Sequence, residues 1–379
     1  MIVGVVGEAF PGERRVALVP EGVRRLIANH FEIAIVSGAG RAALFSDDDY
    51  ARAGARLEAA PENVLGQADL VLKIHPPTLP EVEALRHGAA LVCLLYPRDH
   101  VDVTLRLAAR GVTTLALESM PRTTVAQSMD VLSSQSSVAG YRAVIVAANV
   151  LNKFFPMLMT PAGTFAPARV LVLGAGVAGL QAIATARRLG AVVEAFDVRR
   201  TVREQVESLG AKYIEPWLEQ AAETAEGYAQ QLTEESLERA HNAIRRPLAS
   251  ADVCITTALV PQQRAPILIT RDMFQAMRPG AVVVDLAAEQ GGNCALTQPG
   301  KDIVCGGVTI VGRLNLAAEV AQDASRMFSR NMENFLAHVL PDGVLRFDFA
   351  DEITRRCVVT RGGEIVGDGL HQGLASVTG

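Results

Sequence analysis

Between Arg169 and Asp197 the chain reads RVLVLGAGVAGLQAIATARRLGAVVEAFD. An apolar run, Val170–Leu173, meets the pattern Gly174, Gly176, Gly179. A helical pattern follows to Leu189, and a second apolar run, Val192–Phe196, ends on Asp197. Each residue type here has a task in holding phosphate. Gly174 allows a tight turn off the strand, Gly176 lets backbone approach a pyrophosphate, and Gly179 lets the helix pack close to the sheet. Free amides at the helix start favour an anion. A carboxylate about 20 residues on accepts hydrogen bonds from a ribose 2′-hydroxyl and repels a 2′-phosphate. A glycine-rich packing turn is the plainer reading, and the two framing strands, the helix and the placed acid set this segment apart from it. The segment is a dinucleotide-binding fingerprint. Asp197 points to NAD(H) rather than NADP(H), although Arg199 and Arg200 beside it are residues that accommodate a 2′-phosphate in other sites.

A second concentration of polar groups is Pro121-Arg-Thr-Thr-Val-Ala-Gln-Ser-Met-Asp-Val-Leu-Ser-Ser-Gln-Ser-Ser. Arg122, Gln127, Asp130 and Ser133 are spaced to converge at a helix start, and a crevice between domains is a usual place for a ligand. Arg122 suits a phosphate or carboxylate, and Gln127 and Ser133 suit an amide or ribose. Asp130 either accepts from a nicotinamide amide or orients Arg122. An ordinary capped helix with a polar first turn would use the same residue types. Two further strand ends carry polar residues at the edge where such sheets bind ligands: Thr256-Thr257-Ala258, and Asp285-Leu-Ala-Ala-Glu-Gln-Gly-Gly-Asn.

The elements that must position these residues alternate. Strand signals at Ile2–Val6, Glu32–Val36, Leu70–Ile74, Ala89–Leu95 and Thr113–Leu117 are interleaved with helix signals at Gly22–Asn29, Asp47–Ala53, Leu79–Arg86 and Val101–Arg110. That is the pattern of a parallel, doubly wound sheet, here without a glycine fingerprint. Gln127 to Asn149 reads as one long connecting helix and Ala162–Pro167 as a loop. After the fingerprint come strands at Val253–Thr256, Val282–Asp285 and Val308–Val311, a helix at Thr270–Met277, and an amphipathic helix from beyond Ala317 to about Val339. The tail, residues 343–367, looks β-rich and returns to the first domain. The expected fold is α/β, two Rossmann-like domains joined by long helices. Residues 1–133 with 325–379 form one domain and residues 134–324 the other. Between Ile214 and Ala251 lie about 37 residues where a crossover needs far fewer. This Glu-, Gln- and Ala-rich stretch holds Glu226-Gly227-Tyr228-Ala229, and two readings stand side by side, a hinged lid over residues 216–240 and a solvated helical excursion.

Composition excludes several classes. At 379 residues and 49% hydrophobic content there is room for two cored domains, and a net charge of −5 with mixed signs favours neither nucleic acid nor an anionic membrane. The stretch Val170–Ala186 is apolar, but its glycines, Gln181 and flanking Arg169, Arg187 and Arg188 fit a strand–turn–helix better than a membrane span. The first residues, MIVGVVGEAF, read as a strand rather than a signal peptide. Five scattered cysteines without CxxC suit reduced, buried thiols, and the seven histidines show no metal-ligand spacing, so no metal is expected.

Taken in order, GERRVALVP, ESMPRTTVAQSMDVLSSQSSVAGYRAV, TPAGTFAPARVLVLGAGVAGLQAIATARRLGA, REQVESLGAK, the GYA of the insertion, TTALVP and VVVDLAAEQGGNC resemble the soluble NAD(H)-binding alpha component of proton-translocating NAD(P) transhydrogenase. The resemblance spans residues 12 to 294, with helix and tail similarity beyond. It implies that Arg122, Gln127, Asp130 and Ser133 bear on the nicotinamide end, with Gln127, Asp130 and Arg122 nearest the chemistry, and that Tyr228 lies on a mobile lid. It further implies a cofactor set of Gly174, Ala175, Gly176, Val177, Ala178, Gly179, Asp197, Val198, Arg199, Thr257, Ala258, Leu259 and Asn315. The implied partners are a second copy of the chain, a membrane-spanning component and an NADP(H)-binding beta component, with the chain in the cytoplasm on the inner face of the membrane. Two departures stand out. In Gly312-Arg-Leu-Asn-Leu-Ala-Ala-Glu, Asn315 keeps its place but the threonine, proline and arginine of the family segment are gone, and Val125 stands where the family has a basic residue.

Alanine dehydrogenase shares this architecture, and its chemistry requires a carboxylate-binding Arg and Lys, a His and an Asp. Arg15 is present, but the Lys position reads His75, and CLLYPRDH offers Tyr96 and Pro97 where its histidine belongs. Amino-acid oxidation without that base is hard to run. A non-catalytic NAD-binding protein is a third class. Hydride transfer between two nicotinamides needs no acid or base, only near-attack geometry with water excluded, which explains a polar clamp and lid without nucleophile or metal.

Overall fold

The computed structural model describes residues 1–215, 233–259, 264–344 and 347–366. The chain forms two compact units, Met1–Gln135 with Ala318–Gly379, and Ser136–Ala317. In chain order the first holds β1 (Ile2–Val5), α1 (Pro20–Ala28), β2 (Glu32–Val36), α2 (Asp47–Ala53), β3 (Arg56–Glu58), α3 (Pro61–Leu65), β4 (Leu70–Leu72), α4 (Leu79–Ala84), β5 (Ala90–Cys93), α5 (Val101–Ala109) and β6 (Thr113–Ala116). Helix α6 (Val131–Val150) carries the chain into the second unit. There follow β7 (Leu158–Thr160), β8 (Gly163–Phe165), β9 (Arg169–Leu173), α7 (Val177–Arg188), β10 (Val192–Phe196), α8 (Arg203–Ser208) and β11 (Lys212–Ile214). The unit continues with α9 (Glu234–Ser250), β12 (Val253–Thr256), α10 (Arg271–Gln275), β13 (Val282–Asp285), β14 (Asp302–Cys305) and β15 (Val308–Val311). Finally α11 (Ala321–Val339), α12 (Glu352–Cys357), β16 (Val358–Arg361) and β17 (Glu364–Ile365) belong to the first unit again.

Both main sheets are doubly wound. The first runs β17-β16-β6-β5-β4-β1-β2-β3 and the second β11-β10-β9-β12-β13-β15-β14. Strands β1 to β6 are mutually parallel, as are β9 to β13 and β15. Strand order reverses between β1 and β4 and again between β9 and β12, and crevices at such switch points are where open α/β sheets take their ligands. The two-Rossmann expectation is met.

The strands read as unbroken apolar runs because both faces are covered. In the second unit Val170, Val172, Val253, Ile255, Val282 and Val284 enter one core, while Leu171, Leu173, Cys254 and Val283 enter the other. The first unit repeats this, with Leu70, Leu72 and Val92 on one side and Val71, Leu91 and Cys93 on the other. Period-two alternation sends neighbouring residues to opposite faces.

The tail does return. Strand β16 pairs antiparallel with β6, and the Thr360 hydroxyl donates to the Val112 carbonyl at 2.7 Å. Helix α11 sends Phe328, Met332, Phe335 and Leu336 into the first unit's core. Its Ser325 and Ser329 hydroxyls accept the Val16 and Val19 amides at 3.0 and 3.3 Å, and Glu333 pairs with Arg25.

Several local expectations need correction. The helix expected from Gln127 is broken: Ala126–Met129 is a 3-10 turn, Asp130 is extended at φ −73° and ψ 93°, and α6 begins at Val131. The cause is Asp130 itself, whose carboxylate accepts the Ser133 amide at 2.9 Å and its hydroxyl at 2.6 Å. An Asp that can bond an amide three residues on starts a helix rather than continuing one. Residues 162–167 are not all loop, since β8 pairs with β7 across the Thr160–Gly163 turn. The short elements β3, α3, α8, β11 and β14 also escape sequence reading. Of the expected lid, residues 216–232, including Tyr228, lie outside the described residues, and from Glu234 onward the chain is the first turns of α9. No helix among the described residues is long and apolar enough to cross a membrane.

Candidate nucleotide-binding site

At the end of β9 the Gly174 amide donates to the Phe196 carbonyl at 2.8 Å, and its φ of 100° turns the chain sharply out of the sheet. An L side chain rarely adopts that conformation. Gly179 matters for closeness instead, because a Cβ there would sit 1.8 Å from the Gly174 carbonyl oxygen. Gly140 of α6 is equally constrained, with a Cβ 2.1 Å from the Ala178 carbonyl oxygen, so α6 lies directly against the first turn of α7. Gly176 differs from both. Its φ of −75° suits any residue, and the nearest atom to a Cβ would be Arg199 Nη2 at 3.9 Å. The space over Gly176 is open, the start of α7 has no side-chain cap, and a guanidinium stands beside it. Backbone amides and a cation bordering a gap without Cβ fit a pyrophosphate. The dinucleotide that the fingerprint implies is therefore compatible with these residues.

Asp197, at the end of β10, is 5% exposed and already engaged. Oδ2 accepts the Ala175 amide at 2.7 Å and Arg199 Nη2 at 2.9 Å, and Oδ1 accepts the Arg199 amide and Nε at 2.9 and 3.0 Å. Hence the acid both ties down the glycine turn and holds Arg199 against it. The Tyr213 hydroxyl, donating to the Asp197 carbonyl at 2.8 Å, fixes the backbone behind. Beyond β12 the Thr257 amide donates to the Leu173 carbonyl at 2.8 Å and its hydroxyl to the Gly174 carbonyl at 3.0 Å. The structure thus gathers Gly174 to Gly179, Asp197, Arg199, Thr257 and Ala258 at the ends of β9, β10 and β12. Val198 follows Asp197 directly, and Leu259 lies next to Ala258 with 41% of its surface exposed. Asn315 sits farther along the same unit, at φ 51°, its amide donating to Glu289 Oε1 at 2.8 Å.

The other predicted group belongs to the first unit. Arg122 and Gln127 are exposed, and Asp130 and Ser133 are partly buried and bonded to each other as the helix start. The Asn331 and Asn334 side chains both donate to the Ser128 carbonyl, at 2.8 and 3.0 Å, which pins the Gln127 turn to α11. Sequence reading misses those two anchors, together with Gly140. A glycine inside an otherwise uninterrupted helical pattern is the available signal for the latter.

Two family models together match nearly the whole chain: alanine dehydrogenase/PNT, N-terminal domain, over residues 4–139, and alanine dehydrogenase/PNT, C-terminal domain, over residues 143–368. The chain belongs to the alanine dehydrogenase/PNT family. Among its relatives, an NAD(P) transhydrogenase alpha-subunit polypeptide of Rhodospirillum rubrum is 48% identical over 97% of this chain and 98% of that one. An alanine dehydrogenase of Mycolicibacterium smegmatis is 33% identical over 77% of this chain and 74% of that one. The crystal structure of a transhydrogenase from Sinorhizobium meliloti superposes with a TM-score of 0.86 at 41% identity, covering 97% of this chain and 99% of that one.

In this family member the C-terminal edge of the first sheet carries its own cluster. Arg15 donates to Glu13 through Nε and Nη2 at 2.8 and 2.6 Å and to Gln135 through Nη1 at 2.7 Å. His75 meets the same Glu13 at 2.7 Å and stacks on Phe10 with ring centroids 4.3 Å apart. Burial pushes the Glu13 carboxyl up, but the hydrogen bonds from Arg15 and His75 outweigh it and hold the group well below the usual range. Lys73, 1% exposed, lies 3.0 Å from Glu81 and 3.6 Å from Glu8. So Arg15 and His75 converge on one carboxylate, and Lys73 is neutralised by two others.

Glu118, after β6, accepts the Leu95 and Tyr96 amides at 3.0 and 2.5 Å, and Tyr96 is held at φ 47°. Burial raises its carboxyl from 4.5 to about 7, with those amides pulling the other way. A raised acid contributes stability that is complete below the unfolded value and is lost as pH rises toward the folded one. At roughly 1.4 kcal/mol per unit, the expected loss between pH 4.5 and 7 is on the order of 2–3 kcal/mol. Urea midpoints across that window should fall for the native chain, and Glu118→Gln should flatten the slope. An unchanged slope in the variant would remove Glu118 as its source.

Proposed function

We propose that this chain is the NAD(H)-binding component of a proton-translocating NAD(P)+ transhydrogenase of the Re/Si-specific class. It transfers hydride between NAD(H) on its second unit and NADP(H) held by a beta component, with protons moved through a membrane-spanning component. It works as a homodimer in the cytoplasm, at the inner face of the membrane. The observation that carries this reading is the open glycine turn over Gly176 in a chain 48% identical, over 97% of its length, to a transhydrogenase alpha subunit. When bound, NAD(H) supplies a hydride donor or acceptor at its nicotinamide ring.

The chain's residues then have only positioning to do. Gly176 and the α7 amides take the pyrophosphate. Asp197 takes the ribose hydroxyl, which must replace an Arg199 N–H, and the guanidinium so released stands beside the turn where phosphate charge arrives. Arg122, Gln127, Asp130 and Ser133 orient the nicotinamide end, Asp130 doing so while still capping α6. Tyr228 is assigned to the cofactor by the family resemblance alone. Tyr96 and Pro97 stand where alanine dehydrogenase has its histidine, which leaves alanine oxidation without that base.

The test is a mixture of the purified chain with an NADP(H)-binding transhydrogenase component. It should transfer hydride from NADH to an oxidised NADP analogue, whereas L-alanine should yield no NADH. Gln127→Asn should lower turnover at least tenfold with NADH affinity within a few-fold, because the group acts on pose more than on gross binding. Equal affinity for NADH and NADPH, or reduction of NAD by L-alanine, would overturn the reading.

A further inference from the structure

Asp285, which ends β13, is 1% exposed and gathers the loop that follows it. The Ala287, Asn293 and Cys294 amides and the Thr297 hydroxyl donate to its carboxylate at 3.1, 2.9, 3.1 and 2.6 Å. The Thr256 hydroxyl on β12 adds a bond at 2.8 Å. Folded back this way, the loop delivers Asn293 to the end of β12 with no exposed surface.

Its carboxamide then behaves as a substitute strand. Oδ1 accepts the Ala258 amide at 3.0 Å, and Nδ2 donates to the Ala258 and Pro266 carbonyls, both at 2.8 Å. The Asn293 carbonyl accepts from Leu268 and Ile269 at 2.8 and 3.0 Å. Pairing of β12 with β9 ends at Thr257, one residue earlier, where the last amide reaches Leu173. Ala258 is next to leave the sheet, and its amide nitrogen lies 3.2 Å from where a Gly174 Cβ would be. Asparagine is the side chain that suits this place, since aspartate has no donor for the two carbonyls.

We infer that Asn293 is a positioning residue for the nucleotide, holding the Ala258 peptide as a fixed wall beside the Gly174 turn. The inference rests on the proposal that this turn binds NAD(H). With its amide taken by Asn293, Ala258 has no donor to offer and meets a bound nucleotide through its methyl group and the neighbouring Leu259.

The experiment is NADH titration of the full chain, native and Asn293→Ala, at a temperature where both are folded by circular dichroism. The dissociation constant should rise at least tenfold in the variant. In the reconstituted transfer assay KM for NADH should rise by a similar factor, with kcat within twofold. Thr360→Val, which deletes a buried hydroxyl in the first unit, should lower the melting temperature and leave NADH affinity alone. Should Asn293→Ala fail to fold, Asn293→Asp, equal in size, carries the same expectation. A lowered melting temperature with unchanged affinity and KM would overturn the inference and leave the nucleotide site standing. Absence of NADH binding by the native chain would instead bring down the reading on which it rests.

Discussion

Gly179→Ala should lose both NADH binding and stability, and Gly176→Ala should lose binding alone. At Gly179 the added Cβ would lie 1.8 Å from the Gly174 carbonyl oxygen and 3.2 Å from the Thr257 hydroxyl. The obstacle is backbone, so α7 must slide away from β9 or the turn must open. Overpacking of this kind costs typically 1–3 kcal/mol and more when backbone is the obstacle, and about 3 kcal/mol is expected here. The turn that moves is the one proposed to take the pyrophosphate, so NADH affinity should fall at least a hundredfold. At Gly176 nothing lies within 3.9 Å of the new Cβ and φ is ordinary. That variant should melt within a degree or two of the native chain, and the methyl group should occupy the space a phosphate needs, weakening NADH at least tenfold. Calorimetry and titration on the two proteins decide the matter. Native affinity in Gly176→Ala would place the phosphates elsewhere.

Asp285→Ala is the other large effect expected. The substitution leaves five donors without their acceptor, drawn from β12 and the loop through Thr297. Each buried donor left unsatisfied costs about 1–3 kcal/mol, moderated where relaxation admits water. A net loss on the order of 3–5 kcal/mol is expected, which for a unit of this size lowers its melting temperature by roughly 10 °C. Asp285→Asn, which keeps one acceptor oxygen, should lose about half as much. A drop under 1 kcal/mol in the alanine variant would mean that the loop is held by its apolar packing.

Much of this is legible in the residues. Apolar runs such as Val170–Leu173 and Val282–Val284 declare themselves because a parallel strand covered on both faces is apolar along its buried length. The glycine spacing declares itself because steric limits at Gly174 and Gly179 admit nothing larger. What stays hidden depends on contacts between distant residues. Asp197 reads as a ribose acceptor, but its bond to the Ala175 amide, 22 residues back, arises only when β10 lies beside β9. Asp130 reads as helical because its neighbours Gln127 and Ser133 are compatible with a helix, and the local bond to Ser133 breaks the pattern. Asn293 gives no signal beyond its place after a Gly-Gly turn, since its partner Ala258 lies 35 residues away. The strands β3 and β11, of three residues each, are too short for periodicity to register.

The return of β16 to β6 has a bearing on biosynthesis. Ser136–Ala317 is one uninterrupted stretch, so everything that its sheet needs has been made before translation reaches α11. The other sheet has no such luck in timing. Six of its strands are made first, yet its core lacks Phe328, Met332 and Phe335, and the outer edge of β6 has no neighbour until Val358–Arg361 appears. At about 5–20 residues per second, that leaves tens of seconds in which a nascent sheet carries an open edge and a half-filled interior. The nucleotide-binding half therefore matures ahead of the half that precedes it on the messenger, and any chaperone requirement during synthesis falls on the amino-terminal strands.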